Sequence, residues 1–433
     1  MCRFNAAREA GGPVGHLIPR LVRILKRAGN SLMAGILALA AGVGTIHAAE
    51  NVRLVEVPDY EWHAGCFGTA SGNLMGFWDR HGLPGLYTGP TRGGVAPLTS
   101  FGSNAGIRSL WASEAGVDGR AFNSPGHLDD YWVEYESVQR DPYLAAGRAE
   151  HAPDCIGDFI GLSQSKWADL GGECAGNIDG FSFNFFDRTG RRRDNYTPPG
   201  AVPDVQSGLR RWAASRGYGL DTFSQLSDFH PECEPGQGFT FSDLRAEIDA
   251  GFPVLLFMQA FDEYARTVFG RPRQNPNIHA MLAYGYLVDD NGDEYVRYRT
   301  SWASGDNQFS RWTNENWTPL GELNLPLRGV IGVRPRPRIT RVERTATGVR
   351  LRWEGPASVV RDELLETEWI ASSYVVERSD VAQGGVWIPV AGPMTTGEVE
   401  VSDCCGGTVF FRLKLVPTKS TGVERVAATS QGK

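Results

Sequence analysis

Two regimes of hydrophobic patterning meet at Val333–Pro337, the string VRPRP. Before it, apolar residues recur at helical spacing in some stretches and in continuous runs in others. After it, they alternate with polar residues. Val349, Leu351 and Trp353 alternate with Arg350 and Arg352; Tyr374–Val376 leads into Glu377, and Val409–Phe411 into Arg412. Turn residues separate these runs at intervals that suit an antiparallel sandwich. Two prolines fix φ and withhold two backbone donors, so VRPRP is expected as an extended linker. In a chain of 433 residues, enough for two or three domains, this break divides 50–335 from 336–418 and leaves a tail, 419–433.

The first region mixes element types. Phe67 to Arg80 places Leu74, Phe77 and Trp78 at helical spacing, with Gly82 beyond the end. Val205 to Arg216 puts Leu209, Trp212 and Ala213 on one face and is closed by Gly217. Thr240 and Asp243 open a further helix as cap and first-turn acid. That helix ends at Gly251, and PVLLFMQ (253–259) reads as a buried strand. HAMLAYGY (279–286) and EYVRYRT (294–300) read as two strands joined at the turn-rich DDNG, 289–292. Helices early and an antiparallel sheet late give an α+β fold class.

Residues 1–49 read as a secretory signal peptide: Arg20, Arg23, Lys26 and Arg27, then an apolar run from Leu32 to Ile46, then small residues ending at Ala48 and Ala49. The run is shorter than the ~20 residues a membrane span needs. Removing the leader takes a net +5 from −7 and leaves −12. So acidic a surface argues against a nucleic-acid partner. The expected location is secreted or periplasmic, with no stable membrane insertion after leader removal.

Six cysteines remain after the leader: Cys66, Cys155, Cys174, Cys233, Cys404 and Cys405. An oxidising compartment permits disulfides, and Cys155 with Cys174 is the natural pair by proximity. The vicinal Cys404–Cys405 is expected as two thiols or as one bridge made elsewhere. No spacing fits a zinc site. The histidine of Gly126–Asp130 is read as part of a solvated turn, and Arg191–Arg193 as a charged loop. No metal or cofactor is expected.

The chemistry centres on two residues. Cys66 follows Gly65 and opens a helix, where the partial positive charge of the helix end favours thiolate. The small residues Gly68, Thr69, Ala70 and Ser71 let other backbone approach closely. A nucleophile there has its own backbone N–H as one oxyanion donor. His279 begins an apolar strand after a polar loop, a base that must be close in space rather than in sequence.

The ordered set of VPDYEWHAGCFGTASGNLMGFWDRHG, FTFSDLRAEIDAGFPVLLFMQ and HAMLAYGYLVDDNGDEYVRYRTSW resembles the papain-like cysteine peptidases, nearest to the bacterial peptidases that trim bacteriocin leaders (cysteine peptidase family thirty-nine). The likeness covers most of 55–312. It implies peptide-bond hydrolysis through an acyl-enzyme, with Cys66 as nucleophile, His279 as general base and acid, and a peptide or protein substrate. Thr300, in Thr300–Ser301–Trp302, stands where the family supplies an Asn or Asp to hold the imidazole. A threonine hydroxyl in that role orients the ring less firmly; Asp289, Asp290 and Asp306 are the substitutes to test. The family's oxyanion glutamine is also absent, and Tyr60 is the candidate donor. The Cys–His separation of 213 residues exceeds the papain range of about 130–150, so a large insertion lies between. ITRVERTATGVRLRWEG, YVVERS, WIPVAG and VFFRL resemble strands of a fibronectin type III-like domain. Two rival readings accompany the peptidase: a papain-like scaffold of weak or no turnover that binds peptides or a cell-surface partner, and a transglutaminase-like or wall-peptide amidase on the same fold.

Overall fold

The computed structural model describes residues 48–60, 66–87, 95–100, 156–160, 189–197, 204–231, 233–259, 278–302, 308–314, 317, 325–356, 359–363, 366–395, 397–402 and 408–419. The leader up to residue 47, the Cys155–Cys174 pair, Gly126–Asp130, Cys404–Cys405, Asp306 and the tail beyond Lys419 lie outside the described residues.

The element order is β1 (Ala48–Leu54), β2 (Asp59–Tyr60), α1 (Cys66–Arg80), β3 (Thr99–Ser100), α2 (Ile156–Phe159), β4 (Arg193–Asp194), α3 (Val205–Ser215), β5 (Gly219–Leu226), α4 (Phe241–Asp249), β6 (Val254–Gln259), β7 (Ile278–Asp289), β8 (Glu294–Arg299), β9 (Gln308–Arg311) and β10 (Leu327–Arg336). Beyond these come β11 (Arg338–Arg344), β12 (Gly348–Glu354), β13 (Val359–Glu363), β14 (Glu366–Ser379), β15 (Ile388–Met394), β16 (Glu398–Ser402) and β17 (Phe410–Lys419). The chain is α+β, with few helices and antiparallel pairing nearly throughout; β2 with β3 is a parallel exception.

Local chemistry accounts for the helix ends. The Asp204 carboxylate accepts the Ser207 N–H at 2.7 Å and caps α3. Thr240 and Asp243 form a reciprocal capping box at α4, with Asp243 where Glu or Gln is usual. Gly217 and Gly251, just past the two helices, have φ of +82° and +85°, the left-handed backbone that glycine adopts without a Cβ clash. α1 differs from a surface helix: every residue from Cys66 to Asp79 is buried. Small residues all round its first turns let it sit inside the molecule rather than on it.

β7 is the hub of the main sheet. It pairs with β6 over Ile278–Ala283, with β8 over Leu282–Val288 and with β1 over Gly285–Asp289. β6 pairs onward with β10, and β10 with β5. β1 also pairs with β13 (Val52 opposite Glu363), so strands from beyond VRPRP extend the same sheet. β11, β12 and β16 form a separate three-stranded sheet. Its inward Leu351, Trp353 and Val401 meet Tyr374 and Val376 of β14 in a second core, and Leu415 of β17 packs against both cores.

VRPRP is therefore not a free linker. It is extended, but its first four residues, Val333–Arg336, are the end of β10, with Val333 opposite Thr222 and Pro335 opposite Leu220. The proline is tolerated because the β6 pairing stops at Gly332, so past that point one edge of β10 has no ladder needing an N–H from Pro335. Among the described residues, no helix is long and apolar enough to cross a membrane.

Candidate active site

Cys66 is the first residue of α1, is 8 % exposed and is a thiol rather than half of a disulfide. As a first-turn residue its N–H is one of the four that a helix leaves without an intrahelical acceptor. No acidic residue stands in that first turn to oppose a developing thiolate.

His279 is the second residue of β7, lies opposite Met258 of β6 and is fully buried. Ring contacts fix how the two elements are aligned. Phe67, next to Cys66, packs on Phe257 with centroids 5.1 Å apart, and Phe257 is the register partner of Ala280, next to His279. At the other end of α1, Trp78 meets Phe252, ahead of β6, at 5.9 Å. The start of the helix and the start of β7 thus lie at one end of the sheet, and the thiol and the imidazole with them.

The imidazole is held on one edge and one face. Its Nε2 is 2.5 Å from the backbone carbonyl oxygen of Thr300. A carbonyl only accepts, so Nε2 carries the proton and Nδ1 carries the lone pair. Nδ1 is buried and, among the described residues, meets no hydrogen-bond partner. The indole of Trp302 lies parallel to the ring, 4.4 Å between centroids and 6° between planes. Burial lowers the His279 pKa from 6.5 to about 4, with the Thr300 carbonyl acting in the opposite direction. The ring is neutral at pH 7.

The expectation for Thr300 changes accordingly. Its side chain is not the group that orients the imidazole; its main-chain oxygen is. The hydroxyl accepts the Trp302 N–H at 3.3 Å. Tyr60 is not placed to serve an oxyanion. Its hydroxyl donates to the Pro97 carbonyl at 2.8 Å and occupies the space beside Gly76, ten residues and so about 15 Å along α1 from Cys66. Its ring stacks on Tyr87 at 5.1 Å, and burial holds its pKa well above the usual value. Asp289 sits at the far end of β7, ten residues and about 33 Å from His279. There its carboxylate caps the turn, accepting the N–H groups of Asn291 and Asp293 at 2.9 and 2.8 Å. Asp290 lies in the same turn.

Arg299 is a residue of the site that sequence reading passed over. It pairs with buried Asp59 at 3.3 Å and donates to the Val57 carbonyl at 3.0 Å. It thereby ties the end of β8, from which Thr300 follows, to the segment that leads into the helix of Cys66. The alternation of EYVRYR puts Arg299 on the face opposite buried Val296 and Tyr298. Nothing local announces that residues 51–59 cover that face. Among the described residues, no cluster of His, Cys, Asp and Glu is arranged to hold a metal ion. The arrangement offers a thiol at a helix start, a neutral imidazole with its free lone pair at the same end, and a backbone acceptor that fixes the tautomer. No family model matches the chain, and neither a curated protein nor a solved structure does.

Proposed function

We propose that the protein is an exported thiol hydrolase that cleaves peptide bonds on a papain-like scaffold, with a fibronectin type III-like region at 336–418. The observation that carries this reading is the state of His279: Nε2 is spent on the Thr300 carbonyl, and Nδ1 is buried without a partner among the described residues, at the end of the sheet where α1 presents Cys66. A structural core histidine usually has both nitrogens satisfied or one in water.

In this reading the resting pair is uncharged. Nδ1 takes the Sγ proton as sulfur attacks the substrate carbonyl, forming the S–C bond and an oxyanion that the Cys66 N–H receives. The imidazolium so formed donates a stronger, charge-assisted bond to the Thr300 oxygen and lies under the π face of Trp302. It then protonates the leaving amine as the C–N bond breaks, leaving a thioester on Cys66. Water, deprotonated by the same nitrogen, releases the acid and restores the thiol.

A second reading, the peptide-binding scaffold of weak turnover, draws on one feature: burial opposes imidazolium. The two are separated by incubating the chain with a mixed library of peptide esters, quenching in acid and mapping adducts by mass spectrometry. A hydrolase gives an acyl adduct on Cys66 that disappears in Cys66→Ala; a scaffold binds peptide and gives no adduct.

A further inference from the structure

The turn that follows β8 contains a strained residue that the mechanism above does not use. Ser301 has a φ of +63°, left-handed backbone that is strained for a residue bearing a Cβ and persists only where its surroundings over-determine it. Its hydroxyl is fully buried and, among the described residues, meets no partner, so no hydrogen bond from the side chain to them offsets the strain. Its two neighbours show what the conformation achieves. The carbonyl before it accepts Nε2–H of His279, and the indole after it lies flat on the same ring. The Trp302 N–H returns to the Thr300 hydroxyl and closes the turn. Were residue 301 extended, Trp302 would be carried about 7 Å onward from Thr300, two strand residues along, and one imidazole would not receive both groups.

We infer that Ser301 is a positioning residue: its left-handed backbone is the pivot that sets an acceptor on the edge of His279 and a ring on its face, and so decides which ring nitrogen holds the proton and which keeps its lone pair. The chemical meaning of this pivot rests on the thiol-hydrolase reading; the effect on the ring does not.

The test uses the full chain with Ser301→Gly, Ser301→Ala and Ser301→Val. Glycine adopts positive φ without a clash; alanine keeps the Cβ and loses only the orphan hydroxyl; valine, β-branched, strongly resists this region. Two readouts are taken: the ¹⁵N pattern of the His279 ring, which reports the tautomer, and the rate and pH profile of Cys66 alkylation by iodoacetamide. Wild type, glycine and alanine variants should show one tautomer, protonated at Nε2, and alkylate at similar rates. Valine should show averaged tautomers and a fall of about tenfold or more, less than the ~10²–10⁴ that outright loss of a positioned base would cost. A folded valine variant with the wild-type ¹⁵N pattern and rate overturns the inference. If the valine variant does not fold, the glycine and alanine variants decide: a less pure tautomer in glycine than in alanine overturns it, because glycine meets the required φ more easily. The two readings separate cleanly. A tautomer that responds to residue 301, in a chain whose Cys66 is no faster than an unfolded thiol, supports the pivot and defeats the hydrolase. An activated Cys66 with a tautomer indifferent to residue 301 does the reverse.

Discussion

Acidification should destabilise this protein through His279 in a way that one substitution removes. The ring titrates near 6.5 when unfolded and at about 4 in the folded chain, because burial penalises its charged form. The unfolded state therefore binds more protons between those two values. The contribution is fully present above pH 6.5 and is lost as pH falls toward 4. A shift of that size corresponds to about 3 kcal/mol at 1.36 kcal/mol per unit. The parallel Trp302 ring trims the figure, since a cation under an indole face gains up to about 2 kcal/mol when desolvated. His279→Gln keeps a donor for the Thr300 oxygen and does not titrate. Urea unfolding of both proteins from pH 7.5 to 4, followed by tryptophan fluorescence, cancels all other acid-labile groups in the difference. The stability of wild type relative to the variant should fall by about 1–3 kcal/mol across that window. A direct NMR titration of the His279 ring should place its midpoint near 4. A difference that stays constant with pH refutes the claim that the ring is buried and neutral.

The backbone role of Thr300 makes a sharp contrast between side-chain and main-chain effects. Thr300→Ala loses only the 3.3 Å bond to the Trp302 N–H, so reactivity of Cys66 should drop no more than about fivefold, the equivalent of ~1 kcal/mol for one neutral bond. Thr300→Asn should bring no gain, whereas a true side-chain orienter would respond by orders of magnitude, as triads do. Arg299→Met removes the guanidinium that pairs with buried Asp59 and should cost up to about 3–5 kcal/mol, the penalty for breaking a buried ion pair, read as a lower urea midpoint. Adding Asp59→Asn to it should recover part of that loss.

Much of this architecture was legible where the cause is local. The Thr240/Asp243 box, the continuous apolar run of β6, the β7–β8 hairpin at DDNG and the helix beginning at Cys66 are each written in a few adjacent residues. What could not be read depends on remote partners. ENVRL (50–54) carries no strong strand pattern, yet β1 bridges β7 and β13. VRPRP looks like a linker until one sees that the β6 ladder stops at Gly332 and leaves an edge on which proline is harmless. Tyr60 is near Cys66 in sequence, but its ring turns to Tyr87 and to the middle of α1. The imidazole acceptor was missed for a different reason. A sequence displays side chains, and the group that holds His279 is a carbonyl whose direction depends on the φ of the next residue.

On the proposed reading, His279 chemically activates Cys66. Brief iodoacetamide treatment of the folded chain at pH 7, with mass spectrometry of each cysteine peptide, compares Cys66 with the same thiol in the urea-unfolded protein and in His279→Ala. Cys66 should alkylate at least about tenfold faster in the folded wild type than in either control, as expected of a thiol served by a positioned base. A folded Cys66 that labels no faster than its unfolded counterpart, or a rate indifferent to His279→Ala, contradicts it.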